Sequence, residues 1–494
     1  MYQVVFYIWL LINSLLFIHV LHELVLVYKA LKYKNPKSPD LKRDLPKVTV
    51  QLPLYNEKYV VKRLLNAIRR LNYPKDKIEI QILDDSTDDT SEIIKVFLKE
   101  LKESDFNFQH IQRKERSGFK AGALDYGLKL SSGDYIAIFD ADFIPDSEFL
   151  LKTIAHFDED NIGLVQTRWQ HINEDYSLLT RAQAVMLNTH FSIEQRGRIQ
   201  ANAFINFNGT AGVWRKETII DAGGWKADTL TEDLDLSFRA QVKGWRFKYL
   251  FDVESPAELP VTFEAYKTQQ FRWSKGAAEC FKKNITLLWK SDASFAAKTI
   301  GTFHLLNSSI YLLVVGLMLL SPFVFYIRHN NLIDASETYL LLIGESIVYL
   351  LFFIFFVGHL LASKNKTKAI LLFIPSLLTY FSMTMGVSIY MVLGILEGYR
   401  GKQTAFIRTP KFGNKEILKR VSKGYDFKKE KGIKLLEFIA LMYGFFWLLL
   451  GCYQLNLLTA VYGAMLVFGF SLAVFFKQHT FKKTNQDKVK LAIQ

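Results

Sequence analysis

The sequence predicts an α/β domain with a mostly parallel, Rossmann-like sheet, fused to a block of α-helices that lie in a membrane. Strand-like and helix-like runs alternate over residues 47–139, which is typical of βαβ units. Six apolar windows are long enough to span a bilayer, at 4–28, 302–328, 338–361, 369–396, 435–453 and 456–476. The composition agrees with two unlike parts, because half of the 494 residues are hydrophobic while 22% are charged.

Acidic side chains follow three of the four predicted strands. The strands are expected at 48–54, 78–83, 106–112 and 135–139, with helices between them at 59–71, 91–101 and 119–130. Glu57 comes after the first strand, Asp84 and Asp85 after the second, and Asp140 and Asp142 after the fourth. Ligands of parallel sheets bind at the carboxyl ends of the strands, so these carboxylates are predicted to meet at one site.

The pair Asp140 and Asp142 indicates a metal site that holds a phosphate group. No Gly-x-Gly-x-x-Gly motif and no Walker loop follows the first strand, so a nucleotide bound here needs another phosphate anchor. Two carboxylates one residue apart can bind a hard divalent cation, which in turn grips a diphosphate. Alternatively, both are ordinary residues of a surface turn. Lys120 lies in a segment flanked by glycines that permits close approach to phosphate or ribose, although it can also be a solvated lysine.

Two further motifs lie between the α/β segment and the membrane block, Thr231-Glu232-Asp233 and Gln269-Gln-Phe-Arg272-Trp273. The acidic triplet can cap the helix that follows it, as can residues 84–89, but capping explains Thr231 and does not require Asp233. Trp273 can be a membrane-boundary aromatic, or it can stack on a sugar while Arg272 binds a departing diphosphate.

Two loop-like segments also allow two interpretations each. Residues 204–214 are rich in glycine and small polar side chains, and they form either a plain loop or the wall of an acceptor pocket. Residues 406–413 form either a basic loop held at anionic lipid or a mobile lid over a nucleotide.

The bulk charge and the cysteines exclude several classes of protein. The net charge is +14, but basic excess on a chain with membrane spans marks cytoplasmic loops, so nucleic acid is not an expected partner. Cys280 and Cys452 lie far apart and support neither a disulfide framework nor a zinc site. The first apolar run is too long for a cleavable signal peptide and lacks a basic start.

The charge pattern predicts five membrane spans and one interfacial helix. Residues 29–47 are strongly basic and are expected in the cytoplasm together with residues 48–300. If all six windows crossed, the stretch 401–432, with ten basic and three acidic residues, would lie outside. The window 369–396 contains Pro375 and several small polar residues, so we expect it to lie in the interface. An ordinary sixth span is the alternative.

Taken together, the motifs resemble those of processive family 2 glycosyltransferases of the cellulose synthase superfamily. The resemblance covers about residues 47–300 and rests on the ordered set Tyr55-Asn-Glu57, Asp84-Asp85, Asp140-Ala-Asp142, Thr231-Glu-Asp233 and Gln269-x-x-Arg272-Trp273. Segments 207–215, 269–274 and 406–411 look most like the cellulose-synthase-like mannan and glucomannan synthases and the related glucan-backbone synthases. Asn208 replaces a cysteine that is common in cellulose synthase, and neither a cyclic-dinucleotide-binding domain nor a zinc-binding start is recognised, so a product other than cellulose is expected.

The resemblance implies a GT-A fold, an inverting reaction and a role for each motif. Asp140 and Asp142 would hold Mg²⁺ or Mn²⁺ on the donor diphosphate, and the rest of the donor site would comprise Tyr55, Glu57, Asp84, Asp85 and Lys120. Asp233, beside Glu232, would take the proton of the acceptor hydroxyl. The acceptor and leaving group would be framed by Gln269, Arg272, Trp273, Asn208, Gly209 and Thr210. A gating loop would carry Phe406, Arg408, Thr409 and Lys411.

These implications define a multi-pass membrane enzyme with a cytosolic catalytic domain, in the plasma membrane of a bacterium or the Golgi membrane of a eukaryote. It would use GDP-mannose, or UDP- or GDP-glucose, to extend a β-1,4-linked mannan, glucomannan or glucan and export it. The predicted parts are an anchor and basic linker (1–46), a catalytic domain (47–300) and a membrane domain (301–494). The expected partners are the donor, the growing glycan and the bilayer; the oligomeric state is not predicted. A transferase that adds one sugar to a lipid and a non-catalytic channel or scaffold are the alternatives.

Overall fold

The computed structural model describes residues 2–37, 39, 44–102, 105–332, 335–404, 408, 409, 411 and 431–475. An α/β domain with one seven-stranded sheet packs against a group of long apolar helices, which confirms the predicted fold class. Phe406, most of the basic stretch 401–432 and the lysine-rich tail lie outside the described residues.

The sheet has the strand order β3-β2-β1-β4-β6-β5-β7 and is mostly parallel. Its strands are β1 (Val48–Leu54), β2 (Ile78–Asp84), β3 (Asn107–Ile111), β4 (Tyr135–Ile138), β5 (Ile162–His171), β6 (Gly212–Arg215) and β7 (Arg246–Ala257). All neighbours pair in parallel except at β6, which runs antiparallel to both β4 and β5. The reversal brings the segment before β6 to the edge where the parallel strands end, and this segment carries Asn208 and Gly209.

Helices cover both faces of the sheet because its central strands are buried on both sides. One face packs against α2 (Val61–Arg69), α3 (Thr90–Lys99) and α5 (Phe149–Ile154), and the other against α4 (Phe119–Leu130), α6 (Leu178–Thr189), α8 (Lys216–Asp221) and α9 (Glu232–Val242). The strands read as nearly continuous apolar runs for this reason. Burial of each Val, Leu, Ile or Phe side chain contributes about 1.5–3 kcal/mol to the free energy of folding. The strand ends that carry polar groups are therefore fixed in position.

Two helical segments connect the sheet to the membrane helices. Helix α6 continues through a π-helical turn (His190–Gln195) into α7 (Arg196–Gln200), and α10 (Phe263–Lys290) follows β7. The remaining helices are α1 (Tyr2–Lys32), α11 (Phe295–Leu306), α12 (Ile310–His329), α13 (Ala335–Ala362), α14 (Lys366–Arg400), α15 (Lys431–Tyr453) and α16 (Leu457–Phe475). Within the described part of the chain, five helical stretches are long and apolar enough to cross a membrane: 2–32, 295–329, 366–400, 432–453 and 457–475.

Both ends of α14 lie against the α/β domain. Near its start, Lys368 pairs with Asp175 at 2.6 Å, and Lys364 of the preceding turn pairs with Glu254 at 2.7 Å. Near its end, Glu397 lies 3.3 Å from Lys275 of α10. At 1.5 Å per residue, the 29 residues from Lys368 to Glu397 separate these two sets of contacts by about 44 Å along the helix.

Helices α14 and α16 cross at a pair of glycines. A Cβ atom on Gly469 would lie 2.0 Å from the backbone oxygen of Ser382, and one on Gly386 would lie 2.2 Å from the backbone oxygen of Gly469. Small residues permit such close backbone approach between apolar helices. The packing of α16 against α14 therefore depends on the absence of side chains at these two positions.

We expect Gly469→Val to destabilise the folded protein by about 1–3 kcal/mol, because the new side chain forces the two helices apart. The measurement is the thermal unfolding midpoint of purified protein in detergent. Gly432→Val is the matched control, since Gly432 is exposed near the start of α15 and a Cβ there meets nothing within 4 Å. Equal midpoints for the two variants would contradict a close α14–α16 crossing.

Candidate active site

A cavity of 220 Å³ lies at the edge of the sheet where the parallel strands end. Its walls come from the loops after β1, β2, β4 and β7, from the segment before β6, and from the first turns of α9 and the middle of α10. The predicted residues that line it are Tyr55, Glu57, Asp85, Lys120, Asp140, Asp142, Asn208, Gly209, Glu232, Asp233, Gln269, Arg272, Trp273, Arg408, Thr409 and Lys411. Side chains more than three hundred residues apart in sequence are thus gathered around one space.

Asp84 and Asp85, adjacent in sequence, have different surroundings. Asp85 lines the cavity and accepts from Arg113 Nε at 3.0 Å. Asp84 is buried beneath it and does not line the cavity; it accepts hydrogen bonds from Ser91 Oγ and Gln112 Nε2 and contacts His110 Nε2 at 2.8 Å. Burial alone would raise the pKa of Asp84, but these hydrogen bonds lower it to about 2.

At the end of the cavity beside β1, an aromatic ring and a carboxylate face two arginines. The guanidinium of Arg116 lies 3.4 Å from the centre of the Tyr55 ring, which is cation–π stacking distance. Glu57 accepts from Arg408 Nε at 2.6 Å. Burial raises the pKa of Glu57 to about 7 despite this partner. Stacking surfaces and hydrogen-bonding groups of this kind can bind a planar polar ring.

Asp140 and Asp142 each contact a lysine. Lys120 Nζ lies 2.6 Å from Asp140 Oδ1, and Lys411 Nζ lies 2.6 Å from Asp142 Oδ2. Burial alone would lower the pKa of Lys120, but the charges of Asp140, Glu232 and Asp233 together raise it. Thr210 lies behind this pair, where its hydroxyl accepts from the backbone N–H of Asp140.

The carboxylates at 140 and 142 fit a cation that is bound partly by substrate. Within the described ranges, no three His, Cys, Asp or Glu side chains are grouped around a common metal position. Mg²⁺ and similar hard cations usually take one or two protein carboxylates and complete their shell with water and phosphate oxygens. Asp140 and Asp142 supply that number and type of oxygen ligand.

Asp233 lies in the first turn of α9, at the floor of the cavity, where Glu232 is its neighbour. Burial raises the pKa of Asp233 to about 7, and the adjacent charge of Glu232 adds to the rise. Gly209 is required opposite it, because a Cβ there would lie 3.0 Å from Asp233 Oδ2 and the glycine φ is +79°. A carboxylate that titrates near neutral pH is suited to accept a proton.

The wall opposite Asp140 is built by α10. Gln269, Arg272 and Trp273 project from it into the cavity, and Arg272 Nη2 donates to Thr409 Oγ1 at 2.8 Å. Burial lowers the pKa of Arg272 to about 10, so the guanidinium keeps its charge near neutral pH. A permanent cation placed beside the acidic floor can stabilise developing negative charge on a leaving group.

The geometry corrects two of the site predictions and adds residues that the sequence did not suggest. Asp84 and Thr210 are buried supports for neighbouring residues and do not face the cavity. The added residues are Arg113, Arg116, Trp169, His171 and Glu258, of which Arg113 supports Asp85 and the other four line the cavity. No motif marks these residues, although Arg113 and Arg116 are the basic residues directly after β3, where a parallel strand ends.

Fold and site together define an α/β domain with an acidic cavity at its strand ends, attached to long apolar helices. Sequence comparison gives the family. The chain matches the model described as Glycosyl transferase family 2 over residues 49–219, and that described as Glycosyl transferase family group 2 over residues 135–395, more than half of the chain. The chain belongs to glycosyl transferase family 2, as the motifs predicted.

Plant proteins are among its relatives. The chain is 35% identical to glucomannan 4-beta-mannosyltransferase 9 of Arabidopsis thaliana over 83% of this chain and 76% of that protein. It is 44% identical to the probable glucomannan 4-beta-mannosyltransferases 4 and 2 of Oryza sativa subsp. japonica. These two matches cover 57% and 54% of this chain, and only about half of each rice protein, 51% and 46%.

A solved structure has the same fold. It is a mannosyltransferase from Pyrobaculum calidifontis in complex with GDP-Man and Mn²⁺, with a TM-score of 0.52 and 19% sequence identity. The similarity covers 80% of this chain and 100% of that protein. The predicted GT-A fold is confirmed.

We expect Asp84→Asn to lower the free energy of unfolding by about 1–3 kcal/mol, because an amide nitrogen would then face donors. The pKa of Asp84 is depressed, so its contribution is present at neutral pH and is lost as the pH falls towards 2. The measurement is the thermal midpoint at neutral pH. Asp44→Asn, at an exposed pair with Lys77, is the control and should leave the midpoint within error; an equal effect of both would argue against a structural role for Asp84.

Proposed function

We propose that the chain transfers mannose from GDP-mannose to a growing β-1,4-linked glycan, a mannan or glucomannan, at the cytosolic face of a membrane. The observation that carries this proposal is the single cavity that unites Asp140 and Asp142, Asp233, and the Gln269-x-x-Arg272-Trp273 motif. The names of the plant relatives and the GDP-Man and Mn²⁺ bound to the solved relative support mannose, guanine and a divalent metal.

The reaction requires a base and a stabilised leaving group. Asp233 takes the proton of the acceptor hydroxyl as that oxygen attacks the anomeric carbon of the donor, and its near-neutral pKa matches this task. Arg272 and Lys120 lie where the negative charge of the departing GDP develops. Attack from the face opposite an α-linked donor gives a β linkage.

Asp140 and Asp142 would hold a divalent ion, which would supply positive charge to neutralise the diphosphate of the bound donor. The remaining positioning falls to this chain's own side chains. Tyr55, stacked on Arg116, and Glu57 hold the nucleoside, and Trp273 offers an aromatic face to an acceptor sugar. Arg408, Thr409 and Lys411 close the cavity from the side of α14, as a gating segment would.

The proposed arrangement in the membrane has five spans and an interfacial α14. Ion pairs tie both ends of α14 to the α/β domain, which favours both ends on one side of the bilayer. Arg408 and Lys411 contact that domain as well, so the start of the basic stretch 401–432 belongs on the catalytic side. This arrangement keeps the basic loops in the cytosol, and it leaves the other five apolar windows as a block through which a product can be exported.

A direct assay tests the activity. Purified protein is given radiolabelled GDP-mannose or UDP-glucose with Mg²⁺ or Mn²⁺, and products are digested with linkage-specific glycanases. We expect polymer from GDP-mannose that a β-1,4-mannanase degrades. Asp233→Asn should still bind GDP-mannose in calorimetry while its transfer rate falls by about 10²–10⁴-fold. Normal polymer from that variant would exclude the proposed base, and single addition to a lipid would favour a lipid glycosyltransferase.

We expect kcat/KM for the donor to fall about tenfold per pH unit below an apparent pKa near 7, because Asp233 must be ionised to accept a proton and burial raises its pKa in the donor-free protein to about 7. The measurement is the initial rate at donor concentrations well below KM, between pH 5.5 and 8.5. Glu57 also titrates near 7, so Glu57→Gln is the control and should retain an acid limb in kcat/KM. A flat profile in the wild-type protein, or loss of the limb in Glu57→Gln, would contradict the assignment.

Cysteine labelling tests the arrangement of α14. In a Cys452→Ser background, in which the remaining Cys280 is buried, single cysteines are placed at Lys364, Gln403 and Asn330. We expect a membrane-impermeant maleimide to label Asn330→Cys on intact cells, and Lys364→Cys and Gln403→Cys only after permeabilisation. If the residues at 364 and 403 were labelled from opposite sides, α14 would cross the membrane.

A further inference from the structure

A chain of partly buried polar side chains runs from the wall of the cavity to the helical turn behind it. Asn208 lines the cavity, and its Oδ1 lies 2.9 Å from Asn206 Nδ2 and 3.2 Å from His190 Nε2. His190 begins the π-helical turn between α6 and α7. π-helical turns are rare and occur often at functional sites, because the extra residue redirects side chains.

The orientation of the Asn208 amide follows from these neighbours. Asn206 Nδ2 also donates to the backbone oxygen of Phe207 at 3.2 Å, which identifies that atom of Asn206 as its nitrogen. The Asn208 atom facing it is therefore the carbonyl oxygen, and the other amide atom is the nitrogen. Asn208 Nδ2 is buried and has no hydrogen-bond partner among the residues that the structure describes.

His190 is itself fixed from the opposite side. Its Nδ1 lies 3.1 Å from Glu194 Oε2, and the same oxygen accepts from Arg198 Nη2 at 2.7 Å. Burial alone would raise the pKa of Glu194, but the charges of Arg198 and His190 hold it well below its usual range. Glu194 is therefore an anion that accepts from Nδ1–H, and Asn208 Oδ1 accepts from Nε2–H, so both ring nitrogens of His190 carry a proton in this network.

We propose that His190 is a positioning residue that holds Asn208 so that its Nδ2 group donates a hydrogen bond to a hydroxyl or ring oxygen of the acceptor sugar. An amide nitrogen can only donate, so its partner must be an oxygen with a free lone pair, and a glycan presents such oxygens on every residue. Asn208 adjoins Gly209, which lies against Asp233, so the contact is made next to the proposed base. The inference rests on the proposed function and assigns one determinant of acceptor orientation.

A pair of matched variants separates the two hydrogen bonds of His190. The amide of glutamine reaches the position of Nε2, so His190→Gln keeps a donor for Asn208. The amide of asparagine reaches the position of Nδ1, so His190→Asn keeps the bond to Glu194 and loses the bond to Asn208. Each variant is supplied with radiolabelled GDP-mannose and Mn²⁺, and both total GDP release and the sugar transferred to any acceptor are measured.

The ratio of transferred sugar to released GDP is the readout, because donor that meets no oriented acceptor is lost to water. We expect this ratio to fall about tenfold in His190→Asn, with GDP release within about twofold of wild type and an unchanged thermal midpoint. His190→Gln should stay within about threefold of wild type. Combining His190→Asn with Asn208→Ala should give no further loss beyond Asn208→Ala alone, since the first acts through the second.

Two outcomes would overturn the inference. One is an unchanged ratio in His190→Asn, including a parallel fall in GDP release and transfer, which would mark a purely structural role. The other is equal losses in the Asn and Gln variants. The ratio counts sugar on any acceptor. If the wild-type protein adds sugar to a lipid and makes no polymer, the proposed function fails. The same ratio can then be measured with the lipid product, so the His190 variants still test the inference.

Discussion

The site depends on several acidic groups that are buried close together. Their mutual repulsion is offset by two neighbouring positive charges. Asp140, Glu232 and Asp233 surround Lys120 and Arg272 at the closed end of the cavity. Removal from water makes each charge costly, so burial raises the pKa of both Glu232 and Asp233. Asp84, one layer deeper, is held ionised by hydrogen bonds. Carboxylates that lie close together thus differ in pKa because their surroundings differ.

The sheet makes this concentration of charge possible. The parallel strands end at one edge of the sheet. The single reversed strand β6 begins at that edge, so the segment before it, which carries Asn208 and Gly209, lies there as well. Gly209 then allows that segment to approach Asp233 to a distance that any side chain would prevent. Behind this segment, contacts from Asn208 through His190 to Glu194 fix the side chain of Asn208.

Much of this arrangement could be predicted from the sequence, because local patterns of apolar and acidic residues determine it. The first four strands lie within two residues of their expected bounds, since their apolar runs end in acidic residues or turns. The acids after β1, β2 and β4 converge because parallel strands require it. Which of Asp84 and Asp85 faces the cavity could not be predicted, because both occupy a strand end where the twist decides the direction. The antiparallel β6 and the pairing of Arg113 with Asp85 depend on contacts between distant segments that no local pattern records.

The short segment 408–411 touches three separate elements. Arg408 binds Glu57 after β1, Thr409 accepts from Arg272 on α10, and Lys411 binds Asp142 after β4. It begins only eight residues after the end of α14. Glu57, Arg272 and Asp142 are also the side chains that the proposed function assigns to the nucleoside, the leaving group and the cation. Donor and protein are therefore competitors for the same three contacts.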